Sequence, residues 1–293
     1  MASSNTCSSS AHIVGVAAST SSSLLHEVRV VLEDVPFNSM FAWGVVDGLV
    51  DGEIWCDRER QPTFAHVMHP YGMSLLLALS SHLDFDALKQ HIDWCRQTTC
   101  GLWMQVHPQR LAADLDGVLD ADVVPLQSVP SGVCVQRFTR CNFLFIPAQY
   151  AAIAPMRPLP HNVKVRPMTS EDFALLGFGV SPRHFWRNAH DFLAHGGGWC
   201  ITDDEEVISI AFSSFRLDSR LEIGVETHPQ YRGRGLAKYA ASAIIDQCVA
   251  SGIEPVWSCR KQNVLSFHLA QTLGFSPTLE GAYYHLPKAS SGS

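Results

Sequence analysis

Apolar positions in this chain recur with a period of two in some stretches and of three to four in others, and the changes of period mark the elements. Residues 52–56 and 63–68 alternate as short strands around a polar turn at 57–61. Over 84–98, Leu88, Ile92 and Cys95 fall on one helical stripe behind Asp84, a residue type suited to capping a helix start. A strand is predicted at 102–106, a helix at 110–119, and 143–146 is an apolar run. The stretch Pro155-Met-Arg-Pro-Leu-Pro160 has three prolines in six residues and reads as an extended linker. Beyond it the pattern sharpens. Residues 163–166 predict a strand, and Thr169-Ser-Glu-Asp172 carries the cap signal of a helix start. Segments 198–202 and 207–214 predict a hairpin that continues through a turn near Asp218 into 221–227, an antiparallel meander. A tight loop at 231–235 opens a helix over 236–250 that stops before Gly252. A strand at 255–259, a helix at 263–273 between Asn263 and Gly274, and a strand at 282–286 complete the series.

The 293 residues leave room for two domains of roughly 100–200 residues each. The linker divides the chain into an N-terminal α/β domain at 24–158 and a second domain at 159–288. Residues 1–23, rich in serine, and 289–293 read as disordered tails, since such segments bury too little apolar surface to offset their ordering entropy. A net charge of −7 without any run of Lys or Arg argues against nucleic acid as a partner, because phosphate neutralisation needs clustered cations. The nine cysteines are odd in number and form no C-x-x-C pair, as expected of buried free thiols in a reducing compartment. No Lys or Arg precedes Arg29, so the basic start of a secretory signal is missing; the Ser-rich start as another kind of targeting segment stays open. The charge-free stretch 61–83 holds Pro70, Gly72 and three histidines and is too broken for a membrane span. The expectation is a cytoplasmic protein without membrane contact, with a homodimer left open.

Candidate chemistry centres on Leu221-Glu-Ile-Gly-Val-Glu-Thr-His-Pro-Gln-Tyr-Arg-Gly-Arg-Gly-Leu-Ala237. A strand here runs into a loop with two glycines, and a helix follows at once. Glycines allow a ligand to approach the backbone, and the unpaired N–H groups and positive dipole end of a helix start attract an anion such as a pyrophosphate. A Walker loop is absent, and a dinucleotide fingerprint would need a third glycine where Lys238 stands, in a parallel sheet rather than after a meander. The pattern Q/R-x-x-G-x-G/A is met by Gln230, Gly233 and Gly235.

That pattern resembles the GNAT superfamily of N-acetyltransferases, with the apolar helix, the strand, Asn263 and the Leu273-Gly-Phe275 helix end following in the family's order over about 163–287. A finer resemblance, to acetyltransferases of the zwittermicin-A-resistance type, rests on Phe185-Trp186, Gly198-Trp-Cys-Ile201, Ile223-Gly-Val-Glu-Thr227, Pro255-Val-Trp-Ser-Cys259 and Asn263-x-x-Ser266. The resemblance implies a mixed, mostly antiparallel sheet flanked by helices, the GNAT acyltransferase fold, with an additional N-terminal α/β domain. It implies acetyl-CoA as co-substrate, no metal, and direct attack of a small-molecule amine on the thioester, in a detoxification or antibiotic self-resistance reaction. Two alternatives are an acetyltransferase of protein N-termini or lysines, favoured by a wide acceptor groove, and a non-catalytic acyl-CoA sensor. A pocket roofed by the N-terminal domain would favour the small molecule.

For the cofactor, the resemblance implies the backbone of Arg232, Gly233, Arg234, Gly235, Leu236 and Ala237 around the phosphates, the strand edge at Val225 and Thr227 along the pantetheine arm, and Gln230, Asn263 and Ser266 nearby. The N–H of Val225 or Glu226 would face the thioester oxyanion. The arginine side chains are equally readable as solvated loop charges. Glu226 is the first candidate base and Glu222 the second. Four apart, they share one face of a regular strand, the solvent side if Ile223 and Val225 turn inward; residues of the first domain, such as Glu27, are further candidates. Where many family members place a tyrosine acid, this chain has Ala270, so Ser266 is the candidate proton donor to the thiolate; its alternative is a part in the Asn263 cap. His66 and His69, three apart in a strand, point to opposite faces and do not read as a metal site. His228 reads as an exposed turn residue, His268 as directed away from Ser266, and Trp186, Trp199 and Trp257 as core.

Overall fold

In the computed structural model, which describes residues 14–17, 22–125, 132–153, 158–175 and 177–289, thirteen strands join into one sheet. The first half runs β1 (Val14–Ala17), α1 (Ser22–Glu33), α2 (Met40–Val46), β2 (Glu53–Cys56), β3 (Phe64–Met68), β4 (Met73–Ala78), α3 (Phe85–Thr98), β5 (Leu102–His107), α4 (Ala112–Val118), β6 (Asp122–Val123), β7 (Gln136–Phe145) and α5 (Pro147–Ala151). The second runs β8 (Val163–Pro167), α6 (Ala189–His195), β9 (Gly198–Asp203), β10 (Glu206–Leu217), β11 (Arg220–Thr227), α7 (Leu236–Ala250), β12 (Glu254–Arg260), α8 (Val264–Thr272) and β13 (Phe275–Leu286).

Strand order shows that the two halves repeat one plan. The path of twelve strands is β1-β2-β3-β4-β5-β13-β7-β12-β11-β10-β9-β8, with β6 paired to β7 off it, and its order follows the same plan from either end. In each half a four-stranded antiparallel meander ends on a strand whose next neighbour, reached through a helix, is parallel: β4 with β5 across α3, β11 with β12 across α7. The closing strands are exchanged. The first half's β7 lies antiparallel to β12, and the second half's β13 lies antiparallel to β5, with β7 and β13 paired at the centre. The chain crosses between halves near the proline-rich stretch, but the sheet does not divide there.

One difference between the halves creates a cleft. β4 and β5 stay in register over five pairs, Met73–Leu77 against Trp103–His107. β11 and β12 pair only at Arg220, Glu222 and the residue between, against 254–256, and then part. Apolar packing holds both arrangements. One core lies beneath α3 and α4 (Leu88, Ile92, Leu115), a second beneath α7 (Ala241, Ile244, Ile245), and a third on the opposite face joins the halves through Val28, Leu32, Phe41, Phe185, Phe212 and Phe215.

Several expectations are corrected. The helix expected to start at 169–172 is a single 3-10 turn, Glu171–Ala174. Asp172 turns its carboxylate back onto Arg166 (2.6 and 3.0 Å) and onto the N–H and hydroxyl of Thr169, so it fastens the chain instead of opening a helix. Burial raises the Asp172 carboxyl, but these bonds outweigh it and hold the group below its usual range. Strand β1 lies within the segment read as a tail and pairs with β2; the rest of 1–21, residues 154–157 of the linker and 290–293 lie outside the described residues. β7 and β13 start earlier than expected, at Gln136 and Phe275. Six of the eight described cysteines are buried, all eight are free thiols, and burial pushes Cys95, Cys141 and Cys200 up to about 12. Among the described residues no helix is long and apolar enough to cross a membrane.

Candidate active site

The cleft between the parting strands ends at the start of α7. Gly233 and Gly235 have φ of +78° and +76°, a region that strains any residue with a Cβ. A Cβ at either position would meet no atom within 4 Å, so conformation, not crowding, demands glycine, and the space above the loop is open. Gly235 is the N-cap of α7 and supplies no side-chain acceptor, whereas α3, α6 and α8 are capped by Asp84, Asn188 and Asn263. The first N–H groups of α7 and its dipole are thus left for an anion from outside. In the first half the corresponding helix, α3, begins under the Asp84 carboxylate, which accepts from Ala87 N–H at 3.0 Å. That charge stands where an anion would have to sit, and β4 and β5 never part, so only the second half has the cradle.

A cavity of about 570 Å³ fills the cleft. Val225, Glu226 and Thr227 form one bank, Trp257, Asn263 and Ser266 the other, and Arg232, Gly233, Gly235, Leu236 and Ala237 close the end. His228 N–H donates to Ile208 O at 2.9 Å. Antiparallel alternation then turns the amides of Glu226 and His228 toward β10 and those of Val225 and Thr227 toward the cleft. Gln230 and Arg234 do not line the cavity. Gln230 O accepts from Arg234, whose guanidinium lies 4.9 Å from the Tyr231 ring centroid. Arg232 straps the loop to β11, donating to Thr227 O at 3.1 Å and to the Glu226 carboxylate at 2.7 Å.

A second chamber, of about 290 Å³, meets the cleft at Val225, Trp257, Asn263 and Ser266. Both halves build it: Tyr71 comes from the β3–β4 turn, Met73 from the start of β4, Trp103 from β5, Arg140 from β7 and Tyr283 from β13. Glu222 lines this chamber and is 6% exposed, not on a solvent face, because β7 and the first half cover that side of β11. Its Oε1 accepts from Ser258 Oγ (3.0 Å) and lies 3.6 Å from the Arg140 guanidinium, while Oε2 is buried without a partner. Arg140 also donates to Ser258 Oγ at 2.6 Å and lies over the Tyr283 ring. β11 keeps its alternation, the register shift falling on β10 between Ser213 and Phe215, yet Glu222 and Glu226 serve different cavities. Burial, with Glu226 and Tyr283 nearby, pushes the Tyr71 hydroxyl up.

Ser266 lies where the cavities join. Its N–H donates to the Asn263 carboxamide (3.3 Å), which is the helix cap, and its Oγ accepts from Trp257 Nε1 (3.2 Å). Indole is a donor only, so the Ser266 hydroxyl acts as a donor on its other side, where the Cys259 thiol is already a hydrogen-bond partner. Ala270 is fully buried in the core beneath α7. His268 lines the cleft, contrary to expectation, because Leu265, His268, Leu269 and Thr272 form the α8 face toward it. His228 is half-buried against Phe178 and Tyr231 and lines neither cavity. Glu27 hydrogen-bonds Ser23 on α1 and is absent from both linings. Trp199 is held by Gln247 and Trp186 by Ser213 O; only Trp257 of the three tryptophans reaches the site.

The sequence reading missed Tyr71, Met73, Trp103, Arg140 and Tyr283, which only strand exchange brings to the site. It also missed that His66 Nδ1 lies 2.9 Å from His91 Nε2, with Cys95 beside them, all buried. His69, on the other face, packs against Phe185 and Phe215.

A glycine-led, uncapped helix at the mouth of two parting parallel strands, after an antiparallel meander, defines an acyltransferase fold of the GNAT type. Residues 149–284 match the family model described as GNAT acetyltransferase. The chain is 34% identical over 101 residues to the uncharacterized N-acetyltransferase YdfB of Bacillus subtilis (strain 168), covering 34% of this chain and 39% of that protein. It is 29% identical over 91 residues to the [Ribosomal protein bS18]-alanine N-acetyltransferase of Haemophilus ducreyi, covering 30% of this chain and 63% of that one. The matches therefore span less than two thirds of either curated relative. A GCN5-related N-acetyltransferase-like protein from Streptococcus suis shares the fold, with a TM-score of 0.68 at 21% identity over 89% of this chain and 98% of that one.

Proposed function

We propose that the protein is an acetyl-CoA-dependent N-acetyltransferase acting on a primary amine of a small molecule. The observation that carries this reading is the uncapped α7 N-terminus beside a cleft that opens into a separate, roofed chamber. The cradle fits the cofactor: Gly233 and Gly235 leave open space where a diphosphate would lie, and the N–H groups of Leu236 and Ala237 lack a capping side chain. Bound acetyl-CoA would supply an activated acetyl thioester. Val225 and Thr227 offer cleft-facing backbone groups that pair with an extended arm as an added strand would. Val225 N–H is the donor for the oxyanion; losing such a donor typically costs about 2.7–4 kcal/mol of barrier.

In the chamber, Glu222 is better placed than Glu226 to receive an amine. It lines the acceptor chamber and has one carboxylate oxygen without a partner, whereas Glu226 lines the cofactor cleft and is engaged by Arg232. Glu222 holds the ammonium and takes its proton, directly or through water. Ser266, with its oxygen approached by Trp257, donates a hydrogen bond to the departing thiolate and relays to it the second proton of the attacking nitrogen, so that the serine ends as it began. The chamber's volume of about 290 Å³ and its roof of first-half residues favour a small acceptor over a polypeptide. The finer likeness to zwittermicin-A-resistance enzymes adds aminopolyol antibiotics to the amines to be tried.

Incubation with acetyl-CoA and an amine panel, with free thiol and acetylated product followed together, tests the proposal. Thiol release matched by acetyl-amine is expected. Tight binding of acetyl-CoA without release for any amine would favour a sensor, and acetylation confined to polypeptide N-termini or lysines would move the acceptor class.

A further inference from the structure

Three charged side chains line the acceptor chamber: Arg140, Glu222 and Arg260. Arg140 and Glu222 face each other and cancel. Arg260 does not fit that balance. Among the described residues no carboxylate lies within 4 Å of its guanidinium, and no side-chain hydrogen bond holds it. It stacks instead, with its Cζ 4.5 Å from the Trp103 ring centroid and 5.5 Å from that of Phe138. It is half-buried, and that burial draws its pKa down. A partly desolvated cation without a counter-ion is costly, and aromatic faces return only part of that cost. The cofactor diphosphate is not its missing partner, because Arg260 lines the chamber and not the cleft that ends at α7.

Resting on the acetyltransferase reading above, we infer that the acceptor is an aminocarboxylate, whose carboxylate is held by Arg260 and whose amine is directed to Glu222 and the thioester. The guanidinium fork suits a carboxylate bidentately. Glu222 Oε2 supplies the complementary unpaired acceptor for an ammonium. Arg260 is followed by Lys261 and Gln262, whose side chains are occupied elsewhere, by Glu280 and Val124 O, so among the described residues Arg260 is the cation of this corner without a carboxylate partner. The aromatic walls Trp103, Tyr71 and Tyr283 take the carbon skeleton between the two ends. A neutral or polycationic amine would leave Arg260 uncompensated.

The test compares amino acids and longer ω-amino acids with their primary amides, each at saturating acetyl-CoA, by thiol release and product mass. The acid of the best pair is expected to exceed its amide in kcat/KM by about 100-fold, through KM more than kcat. In Arg260→Met, which keeps the stem over Trp103, this acid-to-amide ratio is expected to fall to near one. In Arg260→Lys it should stay well above one. Because the readout is a ratio within one preparation, partial unfolding cancels. Equal turnover of acids and amides, acetylation of carboxylate-free amines only, or a ratio unchanged in Arg260→Met would overturn the inference while leaving the acetyltransferase standing. Acetyl-CoA bound with no aminocarboxylate consumed also overturns it. Failure to bind acetyl-CoA at all would strike the functional reading first.

Discussion

Arg140 and Glu222 offer a quantitative check on how the two halves are joined. Their side chains are 9% and 8% exposed, on strands from opposite halves. Breaking a buried ion pair from one side leaves the other charge uncompensated, which typically costs 3–5 kcal/mol, whereas removing both is often near neutral. Glu222→Gln keeps the acceptor for Ser258 Oγ, and Arg140 keeps its 2.6 Å bond to Ser258 and its place over Tyr283, so the lower end applies, about 3 kcal/mol. Arg140→Met should cost a similar amount, since Glu222 then retains only Ser258. The double variant should lose less than the sum of the two single losses by about 2 kcal/mol or more, well beyond the ~0.5 kcal/mol scatter of independent sites. Urea unfolding, read as a shift in midpoint at constant slope, measures all four corners of the cycle. Single variants within about 0.5 kcal/mol of the parent, with additive effects, would refute the claim of a buried, mutually dependent pair.

Burial holds His69 and His91 down to about 4, with Asp51 opposing only weakly at His69. Both are neutral when folded and titrate near 6.5 when unfolded, so their contribution is complete above about pH 6.5. It falls toward pH 4 by up to about 1.4 kcal/mol per pH unit each; urea midpoints that stay flat from pH 7 to 4.5 would contradict this. Gly235→Ala imposes a left-handed conformation at a cost of about 1–2 kcal/mol of stability. It should also weaken acetyl-CoA binding by tenfold or more in calorimetry, and unchanged affinity would remove the loop from the site. Ser266→Ala should lower kcat at least tenfold with KM for acetyl-CoA nearly unchanged, and Trp257→Phe, which removes only the indole donor, should fall between; full turnover in Ser266→Ala would leave Asn263 a cap and Ser266 a bystander.

The second half was legible because its signals are local. The last strand of a meander, two glycines and a helix start follow one another within 221–237, and the Asn263 cap lies one helix and one strand further on. The first half repeats the same strand order without those signals. Its β4, with Ser74, Leu75, Leu76 and Leu77 buried, sits inside the sheet and shows no alternation, and Asp84 replaces the glycine loop. No local pattern could place Trp103, Arg140 and Tyr283 beside Glu222, since each arrives through pairing between halves. The face that Glu222 shares with Glu226 was open in the sequence for the same reason: the residues that cover it belong to a distant part of the chain. The failed helix at 169–172 had the right residue types for a cap, but Asp172 found Arg166 instead.

Whether the amides of 233–238 receive the cofactor diphosphate can be measured directly by hydrogen exchange, comparing acetyl-CoA with acetyl-pantetheine, which lacks the phosphates. Strong protection of these amides by acetyl-CoA and little by acetyl-pantetheine is the predicted result. Tight binding of acetyl-CoA that leaves the exchange of 233–238 unchanged would contradict the account at its centre.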